Sequence, residues 1–194
     1  MSDLVSMNGV QSHTDGLWGE IRRIDVHAHY IPEFYREILV QSGLGQPDGI
    51  GSLPPWDENK ALRAMDRFGV STAILSISSP GVHFGDDSRA RTLARRLNEE
   101  GTRLIEEYPS RFGLFASVPL PDVEGSIQEA IYALDELGAD GIVVESNHRG
   151  CILATSFWTL FIRNWIDAGQ SFLYIRLPLR ATAVPDLPNN THSR

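Results

Sequence analysis

Apolar and polar positions alternate along the chain in two periods. Ile24, Val26 and Ala28 alternate with Asp25, His27 and His29, the two-residue repeat of a strand with one face apolar and the other polar. Further strand-like runs span Ser71 to Ser76 ("STAILS"), Phe112 to Val118 ("FGLFASV"), Gly141 to Glu145 ("GIVVE") and Ser171 to Arg176. Between them the period lengthens to that of a helix. Ala61, Leu62, Met65 and Phe68 mark one apolar face over Asp57 to Phe68, closed by Gly69. Leu93, Leu97, Leu104, Ile105 and Tyr108 mark a second helix, with Ser88 as the expected N-cap and Pro109 as the stop. Ile127, Ile131, Leu134 and Leu137 mark a third, ending near Gly138, and "SFWTLFIRNWIDAG" a fourth.

Strands alternating with helices predict a parallel sheet joined by crossover helices. The strand starts at 24, 71, 112, 141 and 171 allow one β-α unit each. A complete eight-unit β/α barrel takes about 250 residues, so the expected fold is α/β, a partial (β/α)8 TIM barrel of about the first five units. Residues 21–176 are expected to form this domain. Residues 1–20 are expected to be a flexible N-terminal tail, and residues 177–194, proline-containing and without periodicity, a disordered or frame-shifted one.

Composition narrows the functions. The 194 residues are 42% hydrophobic and 22% charged, ordinary for a folded domain. A net charge of −8 and the lack of a basic stripe argue against nucleic acid as a partner. Single Cys151 excludes an internal disulfide, and the first 20 residues carry neither a basic start nor an apolar run, so a cytosolic location is expected. No stretch reaches the roughly 20 apolar residues that span a bilayer, and no membrane association is expected.

The candidate chemistry lies in "RIDVHAHYIP". Neutral imidazoles bind divalent metals at about 2.0–2.1 Å, and His27 and His29, one residue apart at a strand end, can reach one ion. Asp25, deeper on the same face, is a candidate to orient an imidazole. An H-x-H pair is only moderately specific alone, and a catalytic zinc normally has three protein ligands. His83 and His148 follow the second and fourth strands and read more readily as solvated loop residues. His13 and His192 fall in the tails, and Cys151 has no paired base.

Several blocks together resemble the amidohydrolase-related, metal-dependent decarboxylases of the aminocarboxymuconate-semialdehyde decarboxylase type, most nearly the 6-methylsalicylate decarboxylases. These are "IDVHAHYIP", "LSISSPG" (75–81), Asn98-Glu99, "YPSRFGLFASVPLPDVEGSIQEAIYALDELGADGIVV" (108–144) and "SN" (146–147). The resemblance runs from about residue 23 to 170, the first half of that family's barrel. It implies a divalent metal, usually zinc, held by His27, His29, a later histidine and a late aspartate. The implied substrate is a small aromatic or dienoic acid, with Trp56, Ser79, Pro80 and Asn147 matching positions near pocket-lining loops. A homodimer is a possible assembly. Two rival readings share these residues: a metal-dependent amidohydrolase or lactonase, and a non-catalytic interaction partner.

One departure stands out. Where the family's fifth strand ends in a phrase like "FIHPTSP", this chain has Phe172-Leu-Tyr-Ile-Arg-Leu-Pro-Leu179, without a histidine. Reading the message one nucleotide earlier turns the Tyr174/Ile175 junction into a His or Tyr codon and permits Pro, Thr, Ser and Pro after it. The expectation is therefore a frameshift or misplaced splice boundary near 169–172, or else a truncated relative. A half barrel has strand edges without partners, so an isolated chain is expected to be poorly stable or to depend on pairing.

Overall fold

Four parallel strands stand side by side in chain order: β1 (Arg23–His29), β2 (Val70–Ser76), β3 (Phe112–Ser117) and β4 (Gly141–Val143). The computed structural model describes residues 22–47 and 51–145, and the backbone of 147–148 and 151–152. Among the described residues four helices accompany the sheet: α1 (Glu33–Gln41), α2 (Glu58–Phe68), α3 (Asp87–Glu107) and α4 (Val123–Asp135). A two-residue antiparallel ladder, β5 (Asn147–His148) with β6 (Cys151–Ile152), follows β4. The expected fifth main strand at 171–176, the helix before it and both tails lie outside the described residues.

Helix ends follow local chemistry. The Asp57 carboxylate accepts from the Lys60 N–H at 2.7 Å to start α2, and Gly69 ends it at φ 66°, a left-handed conformation that favours glycine. Asp86, not Ser88, caps α3: its carboxylate accepts from the Arg89 N–H at 2.9 Å, while the Ser88 carbonyl accepts from the Thr92 hydroxyl inside the first turn. Asp122 caps α4 and also receives the Arg91 guanidinium at 2.5 and 2.9 Å, joining α3 to α4.

Residues 33–41, where no element is expected, form α1, which buries Tyr35 and Leu39, one helical turn apart. Two expected apolar faces are corrected. Phe68 is 65% exposed, because it lies in the last turn of α2, beyond the stretch packed over Met65. In α4 the large residues do not lead the buried face: Gly125, Ser126, Glu129, Ala130 and Ala133 do, and Ile131 is exposed. Small residues let α4 approach α3 and β3 closely.

The core lies between the sheet and its helices, with Leu75, Leu97, Leu104, Leu114, Ile142 and Val144 almost fully buried. At Gly101 of α3 a Cβ would sit 2.7 Å from Leu114 Cδ1, so any larger residue there would require the buried Leu114 side chain to shift. A polar clamp crosses the same layer. Buried Asn98 donates from Nδ2 to the Ser117 carbonyl (2.9 Å) and Glu129 Oε1 (2.8 Å), and its Oδ1 accepts from the Ser117 N–H (2.8 Å). Arg95 pairs with Glu129 at 3.0 Å and lies over the Tyr132 ring. Burial pushes the Glu129 carboxyl above its ordinary range, against the pull of Asn98 and Arg95. Among the described residues no helix is long and apolar enough to cross a membrane.

Replacing Asn98 with alanine leaves the Ser117 N–H without its side-chain acceptor in the core and the Glu129 carboxylate with Arg95 as its remaining partner. Each unmet buried group costs about 1–3 kcal/mol, so Asn98→Ala is expected to lose roughly 3 kcal/mol in urea unfolding. A loss within 0.5 kcal/mol, the scale of an ordinary surface substitution, would mean that the clamp is dispensable.

Candidate metal centre

The histidine pair stands at the C-terminal end of β1, the end from which the βα loops leave. β1 is not a regular strand there. Its ladder pairs Asp25 with Ala73 but Ala28 with Leu75, so three steps on β1 oppose two on β2 and leave an extra residue within Val26–His27. The bulged His27 N–H is satisfied by the Asp25 carboxylate at 2.9 Å. This corrects the role expected of Asp25: it holds the backbone of His27 rather than an imidazole ring.

Across the ladder, His29 pairs with Ser76, the last residue of β2. His29 Nδ1 lies 3.3 Å from the Ser76 carbonyl and 3.2 Å from its hydroxyl, which itself donates to the Ala28 carbonyl at 3.4 Å. A carbonyl can only accept, so Nδ1 carries the proton and Nε2 presents its lone pair. Fully buried Ser76 thus orients the ring. Sequence reasoning missed it, although a polar residue closing an apolar strand, in register with His29, was the available signal. Burial, then the neighbouring His27, lowers the pKa of His29 and favours the neutral imidazole that a metal requires.

The two Nε2 atoms stand 3.1 Å apart, with ring centroids at 4.7 Å. Donors about 2.0–2.1 Å from one ion and 3.1 Å from each other subtend roughly 98° at it, an angle open to neighbouring ligands of a four- to six-coordinate cation. The pair therefore fits two positions of a divalent-metal site. Among the described residues no group of three or more His, Cys, Asp or Glu converges, so further donors are not found there.

The other expected site residues lie in separate settings. Trp56 is half-buried with its ring edge against Tyr30 (6.1 Å) and tilted on Phe112 (6.5 Å), and Tyr30 in turn donates its hydroxyl to the Leu97 carbonyl of α3. Ser79 and Pro80, joined by a cis peptide, form the turn after β2, and Pro80 borders a cavity of about 970 Å³ that the histidine pair does not line. Asn147 pairs through its backbone with Ile152. His83 is not a solvated loop residue: its side chain is 3% exposed, Nδ1 accepts from the Gly85 N–H, and Nε2 donates to Asp87 at 2.7 Å. It pins the β2–α3 loop to the start of α3.

A curled parallel sheet with helices outside it and a histidine pair at the C-terminal end of its first strand defines a half-barrel of the metal-dependent hydrolase type. More specifically, the chain belongs to the amidohydrolase family, whose family model matches residues 24–154. It is 44% identical over 133 residues to decarboxylase yanB of Aspergillus niger, covering 66% of this chain and 36% of that one. It is 40% identical over 124 residues to the 6-methylsalicylic acid decarboxylase acuB of Aspergillus aculeatus, covering 63% and 37%. Among solved structures, an amidohydrolase II superposes with a TM-score of 0.75 at 33% identity, over 84% of this chain and 52% of that one. A dihydroxybenzoic acid decarboxylase from a Polaromonas species, with bound manganese and 2-nitroresorcinol, superposes with a TM-score of 0.62 at 27% identity, covering 82% and 51%. The chain thus spans little more than a third of the length of these curated relatives.

If Asp25 holds the bulge that brings the two rings together, its loss weakens metal binding although it is no ligand. Asp25→Ala is expected to lower Mn²⁺ affinity by about tenfold or more, the scale of outer-sphere partners, while Asp25→Asn, which keeps an acceptor, stays within about threefold. Competition titration against a metal-sensitive dye measures both, and equal affinity in Asp25→Ala and wild type would contradict the role.

Proposed function

We propose that this chain carries the amino-terminal metal-binding half of a metal-dependent decarboxylase acting on a small aromatic acid such as 6-methylsalicylate. The observation that carries the reading is the convergence of His27 and His29 Nε2 atoms at 3.1 Å in an amidohydrolase-family half-barrel. Named decarboxylases among the relatives, one of them for 6-methylsalicylic acid, support the reaction class. Zinc is the proposed metal, and the bound manganese of one related structure supports a divalent cation. A cytosolic location and a homodimer belong to the same proposal.

When bound, the cation would act as a Lewis acid toward the acid's carboxylate and neighbouring hydroxyl. His27 and His29 hold the cation, Ser76 fixes the tautomer and angle of His29, and Asp25 fixes the backbone that aims His27. Ser79, Pro80 and Asn147, which follow β2 and β4, are proposed to line the acid. Trp56, packed on Tyr30 and Phe112, is proposed to support that wall.

A second reading has its own observation: only two converging ligands are found among the described residues. It makes the chain a non-catalytic partner of another copy or relative. The test is incubation of the purified full chain with Zn²⁺ or Mn²⁺ and 6-methylsalicylate. Decarboxylation releases carbon dioxide and 3-methylphenol, and His27→Ala or His29→Ala is expected to reduce both at least a hundredfold, as loss of a ligand should exceed the 10–100-fold effect of outer-sphere partners. Hydrolysis of a lactone or amide with no carbon dioxide would favour the hydrolase alternative. No product, with less than about a tenth of an equivalent of bound metal, would favour the non-catalytic one.

A further inference from the structure

A second feature lies on the same end of the sheet but away from the histidine pair. Between α1, the β2–α3 loop and the first turns of α3 is a cavity of about 970 Å³, within the usual range for small-molecule sites. Its apolar wall includes Ile38 of α1, Phe84 of the loop and Leu93 of α3; Arg89, Thr92 and Arg96 stand on the same face of α3, three and four residues apart.

The arginines of α3 divide into two sets. Arg91, Arg95 and Arg103 are committed to carboxylates: Asp122, Glu129, and Glu100 with Glu107. Arg89 and Arg96, both lining the cavity, make no ion pair among the described residues. The Arg96 guanidinium instead lies 3.8 Å over the Phe34 ring, a stacking that orders the group while leaving its N–H edge free to donate. Asp86 is the acid in the lining, and its carboxylate is engaged in capping α3, so a cavity with two cations and one anion sits on a chain of net charge −8. An apolar wall facing a planar, uncommitted guanidinium suits one ligand chemistry: an apolar body carrying a carboxylate, held in the fork of the arginine.

We propose that this cavity binds a small amphipathic organic carboxylate, at a site separate from the His27–His29 centre and independent of any metal. The volume admits a one- or two-ring acid.

The probe is 2-naphthoate, titrated into the full chain in buffer stripped of divalent metal and followed by amide shifts. Saturable binding is expected, with the perturbed amides in 82–89 and 92–96. Naphthalene-2-methanol, with the same rings and no charge, is expected to bind at least tenfold more weakly. An Arg89→Met/Arg96→Met double variant should lose at least tenfold in affinity, and a His27→Ala/His29→Ala variant should bind as wild type does. The proposal is overturned if the folded chain shows no saturable binding, if the shifts centre on β1 and Ser76, or if the alcohol binds as tightly as the acid. Unchanged affinity in the arginine double variant would also overturn it. Should that variant not fold, the wild-type shift map and the acid-to-alcohol ratio decide. Failure of decarboxylation with retained naphthoate binding would count against the proposed function alone, since the cavity borders Pro80 but includes neither His27 nor His29.

Discussion

Parallel pairing of β1 with β2 is the contact on which the candidate centre depends. It sets Ser76 opposite His29, so that one residue closes the ladder by accepting the Tyr30 N–H and also receives the imidazole Nδ1. The ladder's irregularity matters as much as its register. A regular strand would also place His27 and His29 on one face, but the structure reaches their 3.1 Å approach through a bulge whose freed N–H is held by Asp25. The approach of the two imidazoles is therefore a backbone property before it is a side-chain one. Two acceptors on adjacent strands, one carboxylate and one carbonyl, convert two flexible imidazoles into a preorganised pair.

β1 itself is weakly supported. Ile24 and Val26 are 59% and 53% exposed, and among the described residues β2 is its only strand partner. The opposite flank of the sheet is far better tied down. There α3 packs its Leu97, Gly101 and Leu104 face onto β3, and Asn98 links α3, β3 and α4 in one buried network. Burial thus increases away from the histidines, and β2 bridges the two flanks: its buried half, Ala73 to Ser76, joins the well-packed β3 to the exposed β1.

Much of this was legible in the residues. Strands 24–28, 71–76, 112–118 and 141–145 match β1 to β4 within a few residues, because apolar runs bounded by caps and glycines leave few alternatives. Helix α1 was not legible: it starts after Pro32 with no side-chain cap, and its nine residues bury only Tyr35 and Leu39. Nor is the cap of α3 legible, because Asp86 and Ser88 both suit that role, and only the backbone decides which N–H is left unbonded. In α4 the largest side chains suggested the buried face, whereas close packing selected the smallest. At the site, the two histidines were evident from spacing. Ser76 and the backbone role of Asp25 were not, since both arise from register between segments some fifty residues apart.

The central claim is that His27 and His29 bind one cation through their Nε2 atoms. Pulsed electron paramagnetic resonance of the Mn²⁺-loaded chain tests it most directly, because nitrogen nuclei bound to the ion modulate its echo. The account predicts couplings from two imidazole nitrogens, reduced to one in His27→Ala and in His29→Ala. A manganese signal with no directly bound nitrogen, or one left unchanged by both substitutions, would contradict it.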